Sequence, residues 1–147
     1  MNEVSDVTIL VVEDDPGHSR LIEKNLRRAN ISNAIVKADN GRQALDYLFE
    51  EGEYQGQQRA SSLLVLLDLN LPVINGINVL KRMKENNATK RIPVIILTTS
   101  DDNRDITKCY ELGCNVYVTK PVDYGQFSAA IQKLGLFLSV ASVPERS

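Results

Sequence analysis

Tryptophan is absent from this chain, histidine occurs once (His18), and cysteine occurs twice, as Cys109 and Cys114. Two thiols and a single imidazole make a poor set of soft metal ligands. Neither sign of charge dominates: 17 Lys and Arg against 19 Asp and Glu leave a net charge of −2. That balance gives no electrostatic footprint for nucleic acid or for an anionic membrane. No apolar run approaches the roughly 18 residues that would span a bilayer. The opening MNEVSDV has neither the basic nor the apolar region of a secretory signal. These absences predict a cytoplasmic, water-soluble domain whose thiols stay reduced.

What is present suffices for a core. The chain has 147 residues, 43% of them hydrophobic, which is one domain's worth. Five short runs rich in Val, Ile and Leu recur between polar segments: VTILVV, AIVKA, LLVLL, PVIILTT and VYV. Several are apolar at consecutive positions rather than alternating, the pattern of strands buried on both faces. Between them lie helical stripes: Ile22, Leu26 and Ala29, then Gly76, Val79, Leu80 and Met83. Near the end Phe127, Ala130, Ile131, Leu134 and Phe137 keep the same spacing. Asp15-Pro16 reads as a helix cap followed by the first helical residue, and Asn40-Gly41 opens a second helix. Strand and helix alternate five times, which predicts a parallel sheet with helices on both faces and right-handed crossovers. Residues 50–62, EEGEYQGQQRASS, are polar and longer than a usual connection, so a solvated loop is expected there. Residues 1–6 and 141–147 are read as short tails around a single domain at 7–140.

The run LLVLLDLNLP poses the functional question, because five apolar residues lead straight into the carboxylate of Asp68. In an open parallel sheet, ligands bind outside the carboxyl ends of the strands. Glu13, Asp14 and Asp15 follow the first strand, Asp68 and Asn70 the third, Thr98, Thr99 and Ser100 the fourth, and Lys120 the fifth. A parallel sheet makes all of them converge on one cleft. Two like charges about 4 Å apart at an effective dielectric near 20 repel by about 4 kcal/mol. That is roughly three pKa units, too much for three acids to stay ionised near neutrality without a cation. Oxygen donors without imidazole or thiolate favour a hard divalent ion, Mg²⁺ ahead of Mn²⁺ or Ca²⁺. An Asp, a Lys, a hydroxyl and Mg²⁺ together are the parts of a phosphoryl-transfer site.

VVEDD, LLDLNLPVING, VIILTTS and YVTKP, taken together, resemble the signature segments of the response-regulator receiver domain of two-component signalling. The resemblance covers roughly residues 7–140. It implies a flavodoxin-like, doubly wound five-stranded α/β fold with strand order 2-1-3-4-5. It further implies that Asp68 accepts a phosphoryl group from a phosphohistidine on a sensor histidine kinase. Asp14 would bind Mg²⁺ directly, Glu13 through a water, and the Asn70 backbone carbonyl would be a further ligand. Asp15, placed before Pro16, suits a cap better. Lys120 would pair with the phosphoryl group, its bond to Pro121 being cis, and the Thr98 hydroxyl would turn toward the phosphoryl oxygen. Tyr117 would be the aromatic switch that follows inward, reshaping the surface of the fourth helix, fifth strand and fifth helix. Pro72 to Gly76 matches the family's Pro-x-x-x-Gly turn.

GEY before a polar loop, LLDLNLP, LTTS and CYELGCNVYVTKP are similar to the single-domain regulators that partner bacterial phytochromes. Those often carry Phe-Trp late in the fifth helix, where this chain has Phe137-Leu138. Their usual dimer, through the fourth-helix to fifth-helix face, would suit the apolar surplus of Leu136, Leu138 and Val140. Thr99 is larger than the residue usual after the switch hydroxyl, which predicts a narrower entrance. Asn70 and Ser100 stand where side chains tune attack by water. His18 reads as an exposed helix residue, Cys109 and Tyr110 as packing.

Other functions fit less well. An aspartyl-phosphate hydrolase of the haloacid dehalogenase kind wants Asp-x-Asp at the strand end, and Asn70 cannot protonate a leaving group. A nucleotide or flavin site wants a Gly- or Ser/Thr-rich phosphate loop where this chain has acids. The expectation is thus a phosphorylation-driven binding switch or phosphorelay intermediate, not a turnover enzyme, with a constitutive pseudo-receiver as the alternative.

Overall fold

Five apolar segments, each too short for a helix, reach a common solution in one sheet. The computed structural model describes residues 7–120, 123–126 and 129. In it β1 (Thr8–Val12), β2 (Ile35–Ala38), β3 (Leu63–Leu67), β4 (Val94–Thr98) and β5 (Val116–Thr119) alternate with α1 (Pro16–Arg28), α2 (Gly41–Phe49), α3 (Gly76–Glu85) and α4 (Asn103–Leu112). All strand pairs are parallel and the order is β2-β1-β3-β4-β5, the doubly wound arrangement expected from the sequence. β3 and β4 are buried at every position, which is why their sequences are continuously apolar.

Two clusters hold the layers. Leu10, Val12, Val65 and Ile96 face one way, against Leu45 and Leu48 of α2, Leu80 and Met83 of α3, and Cys109 of α4. Ile9, Val11, Leu64 and Ile95 face the other, against Ile22 and Leu26 of α1. Burying each such side chain contributes about 2 kcal/mol, so the clusters, not local propensity, fix the layers. Cys109 and Cys114 are free and buried, as expected. At the open edge, β2 exposes Lys37, whose ammonium meets Glu23 of α1 at 2.8 Å.

The helix starts follow from short polar side chains. The Asp15 carboxylate accepts from the Gly17 and His18 amides at 2.8 and 3.1 Å, so it is a cap, as its place before Pro16 suggests. Asn40 accepts from the Gln43 amide at 2.8 Å, and Gln43 Oε1 reaches back to accept from the amide of the preceding Asp39 at 2.6 Å. Asn75 opens α3 by accepting from the Asn78 amide, and Asp102 opens α4 by accepting from the Arg104 amide. α1 stops at Arg28, so Ala29 caps the helix rather than extending its stripe.

Residues 50–62 form a largely exposed loop, as expected, but one with internal anchors. A short 3-10 helix (Gly52–Tyr54) folds back on α2, and Tyr54 meets Tyr47 edge to face with centroids 5.3 Å apart. The Tyr47 hydroxyl accepts from the Ala60 amide at 3.1 Å. The Arg59 guanidinium donates to the carbonyls of Ala60 and Ala88. The reason is aromatic burial: composition is polar, but one tyrosine on each side of the turn anchors it. Among the described residues, no helix is long and apolar enough to cross a membrane. The tails at 1–6 and 141–147, Pro121, and the stripe formed by Phe127, Ala130, Ile131, Leu134, Leu136, Phe137, Leu138 and Val140 lie outside the described residues.

Candidate functional site

The register decides what meets at the carboxyl end of the sheet. Val12 lies opposite both Ala38 and Leu67, so Glu13 and Asp68 leave adjacent strands at the same height. Thr98 pairs with Thr119, so Lys120 leaves β5 next to the end of β4. Glu13, Asp14 and Asp68 each offer a carboxylate oxygen, and these oxygens all lie within 4.8 Å of one another. Glu13 and Asp68 are buried and Asp14 is exposed, the geometry of a cluster open on one side.

Lys120 closes the other side. Its ammonium pairs with Glu13 Oε1 and approaches Asp68 Oδ2 at 3.4 Å. Burial pushes the Glu13 carboxyl above the ordinary range, opposed by the hydrogen bonds from Lys120 and the Asp15 amide and reinforced by the charge on Asp68. One lysine against three carboxylates leaves the site short of positive charge. The donor set is all oxygen and the oxygens are already gathered, so the residues fit a hard divalent cation.

The other predicted residues lie on β4, on β5 and in the turn after β3. Asn70 donates its backbone N–H to Asp68 Oδ1 at 3.1 Å, which orients the carboxylate. Thr98 is fully buried, and its hydroxyl is the one buried side-chain polar atom among the described residues with no hydrogen-bond partner. A buried hydroxyl left unpaired costs about 1–3 kcal/mol, a cost that persists where function needs the group. Tyr117 is half-buried, and its hydroxyl donates to the Ser100 carbonyl at 2.8 Å, not to Thr98. Gly76 is required by closeness: a Cβ there would collide with the Asp68 carbonyl oxygen and the Leu69 Cα. The Pro72 to Gly76 turn therefore sets the position of Asp68 directly.

Three contacts escaped the sequence reading. His18 Nδ1 lies 3.3 Å from the Lys120 ammonium and 3.9 Å from Glu13 Oε2, although its ring is half exposed. The available signal was its position in the first turn of α1, a helix that starts at the carboxyl edge of the sheet. The Asn70 side-chain amide donates to the Thr99 hydroxyl at 3.2 Å, bridging the turns after β3 and β4. Thr99 thus lies exposed at the entrance, engaged with Asn70. The third contact ties Ser100 Oγ to Asp105 Oδ2 at 2.6 Å.

Comparison with known proteins agrees with this fold. The family model described as the response regulator receiver domain matches residues 9–132. Response regulator Rcp1 of Synechocystis sp. is 37% identical over 92% of this chain and 92% of its own length. The solved Mn²⁺-bound form of Rcp1 superposes with a TM-score of 0.75 at 38% identity, covering 88% of this chain and 92% of that one. A receiver domain from Rhodospirillum rubrum is 55% identical, with a TM-score of 0.73 over 90% and 94% of the two chains. The bacteriophytochrome response regulator RtBRR is 43% identical, with a TM-score of 0.79 over 87% and 77%.

Proposed function

This chain belongs to the response-regulator receiver domain family, and from that membership we propose that Asp68 is its phosphoacceptor, served by Glu13, Asp14, Lys120 and Thr98. The observation that carries the reading is the joint placement of three carboxylate oxygens within 4.8 Å, a lysine ammonium 3.4 Å from Asp68, and an unpartnered buried hydroxyl at the end of β4. An Asp68 oxygen attacks the phosphorus of a phosphohistidine on a sensor histidine kinase. The O–P bond forms, the N–P bond breaks, and the released imidazole nitrogen takes up a proton. Lys120 holds a phosphoryl oxygen and Thr98 donates its hydroxyl to another. Receiver domains bind a divalent metal. Here the ion would be Mg²⁺, and Asp14, Asp68, the Asn70 carbonyl and Glu13 are the groups that would hold it. Its contribution when bound is to neutralise charge on the transferring group. Tyr117 and the α4–β5 surface carry the output.

The likeness to the bacteriophytochrome response regulators RtBRR and AtBRR supports a bacteriophytochrome kinase as donor, met in the cytoplasm. The working unit is residues 7–140. The same likeness motivates a homodimer through α4, β5 and the fifth helix, to which α4 would contribute the half-exposed ring of Tyr110. Output runs through protein contact rather than nucleic acid, in keeping with the net charge of −2.

The test is phosphorylation by acetyl phosphate, followed on a phosphate-retarding gel with and without Mg²⁺, for wild type and Asp68→Asn. A band shift that needs both Mg²⁺ and Asp68 is the expected result. A wild type that neither shifts nor binds Mg²⁺ overturns the reading and leaves a constitutive interaction module.

A further inference from the structure

Ser100, two residues past Thr98, is held from three directions. Its carbonyl accepts from the Tyr117 hydroxyl of β5 at 2.8 Å. Its Oγ donates to Asp105 Oδ2 in the first turn of α4 at 2.6 Å and accepts from the Asp102 amide at 3.4 Å. The turn between β4 and α4 has no regular backbone ladder to fix its carbonyls, so a side-chain anchor decides where they point. A hydroxyl bonded to a carboxylate at 2.6 Å is a charge-assisted bond, about twice as strong as a neutral one. The anchor matters for Tyr117 because the ring sits half-buried against α4, its backbone N–H donating to the Tyr110 hydroxyl at 3.1 Å. Meanwhile the Thr98 hydroxyl has no partner. The aromatic ring is therefore docked on the turn independently of any bond made by Thr98.

We propose that Ser100 and Asp105 are positioning residues for the Tyr117 switch: their hydrogen bond presents the Ser100 carbonyl to the Tyr117 hydroxyl and sets the ring inward before Thr98 acquires a partner. The inference deepens the phosphoacceptor reading and rests on it for its signalling meaning, though not for the geometry. If the docked ring accompanies the phosphorylated arrangement, reciprocity requires that cutting the anchor weaken the binding of a phosphoryl analogue. α4 then sets the sensitivity of the site through a bond that touches neither Asp68 nor the metal ligands.

The experiment uses the full chain labelled with 3-fluorotyrosine, the Tyr117 resonance being assigned through Tyr117→Phe. In ligand-free protein, Ser100→Ala and Asp105→Ala are expected to move that resonance toward its position in the denatured chain. The Tyr47 and Tyr54 resonances, which report the fold, are expected to hold. Asp105→Asn keeps an oxygen acceptor for the Ser100 hydroxyl and is expected to restore the wild-type spectrum. The Ser100→Ala, Asp105→Ala double variant should match either single one, because both remove the same bond. Beryllofluoride with Mg²⁺ should bind each Ala variant about fivefold or more weakly than wild type. An unmoved Tyr117 resonance in either Ala variant overturns the proposal, as does unchanged beryllofluoride affinity in a wild type that binds it. If wild type binds no beryllofluoride, the phosphoacceptor reading fails, while the ligand-free spectra still decide the anchor.

Discussion

Lys120 is tied to Thr98 through the main chain: its N–H donates to the Thr98 carbonyl at 2.6 Å. The ammonium and the hydroxyl proposed to hold a phosphoryl group therefore leave paired strand ends, and neither backbone can shift without the other. The Lys120 ammonium already lies 3.4 Å from Asp68, and that placement is the sense in which the site is pre-formed.

Lys120→Ala separates the two services of that residue. Without the ammonium, buried Glu13 and Asp68 lose their cation, and in EDTA the variant should be about 3–5 kcal/mol less stable than wild type by urea unfolding. Saturating Mg²⁺, held at the same carboxylates as proposed, should stabilise the variant more than wild type and so close most of that gap. Labelling by acetyl phosphate should fall at least tenfold even so. A destabilisation that Mg²⁺ leaves untouched would count against the shared-carboxylate site.

Thr98→Val should trade function for stability. Valine keeps the volume and the branching but removes the unpartnered hydroxyl, so thermal unfolding of the ligand-free chain should show a gain of about 1 kcal/mol. Beryllofluoride affinity should drop in the same variant. A loss of stability would mean that the hydroxyl serves the fold rather than the site.

Gly76→Ala tests the turn beneath Asp68. The added methyl has to displace the Asp68 carbonyl or the Leu69 Cα, neither of which is a flexible side-chain end. Overpacking of this kind costs about 1–3 kcal/mol, and Mg²⁺ affinity, read by isothermal titration, should fall with it. Wild-type Mg²⁺ affinity in a folded Gly76→Ala chain would show that Asp68 does not depend on this contact.

The thiols should be silent. Burial pushes Cys109 up to about 12 and Cys114 up to about 11, with the neighbouring thiol adding to the first and Lys84 opposing the second. At pH 8 the reactive thiolate is therefore a negligible fraction in the folded chain, since only the thiolate attacks. A disulfide reagent should label neither cysteine natively and both in denaturant.

Much of this was legible in the sequence, for identifiable reasons. LLVLL marks β3 to the residue because burial on both faces leaves no polar position, and Asp68 stands where that burial ends. Asp15 reads correctly as a cap because proline follows it. Convergence of Glu13, Asp68, Thr98 and Lys120 needs only a parallel sheet. The loop at 50–62 read correctly as solvated, but its anchoring did not, because the contact of Tyr54 with Tyr47 of α2 is tertiary. The contacts of His18 with Lys120, Asn70 with Thr99 and Ser100 with Asp105 were opaque for a related reason. Each joins side chains from neighbouring loops, where no periodicity constrains direction.

Lys37 bears on how the molecule behaves among copies of itself. Its exposed ion pair with Glu23 adds little to folding. On the open edge of β2, however, a charged side chain in the middle of a four-residue strand obstructs recruitment of a second chain's backbone. Intermolecular strand addition is thereby discouraged at one border of the sheet, so copies of the chain cannot extend it from both edges.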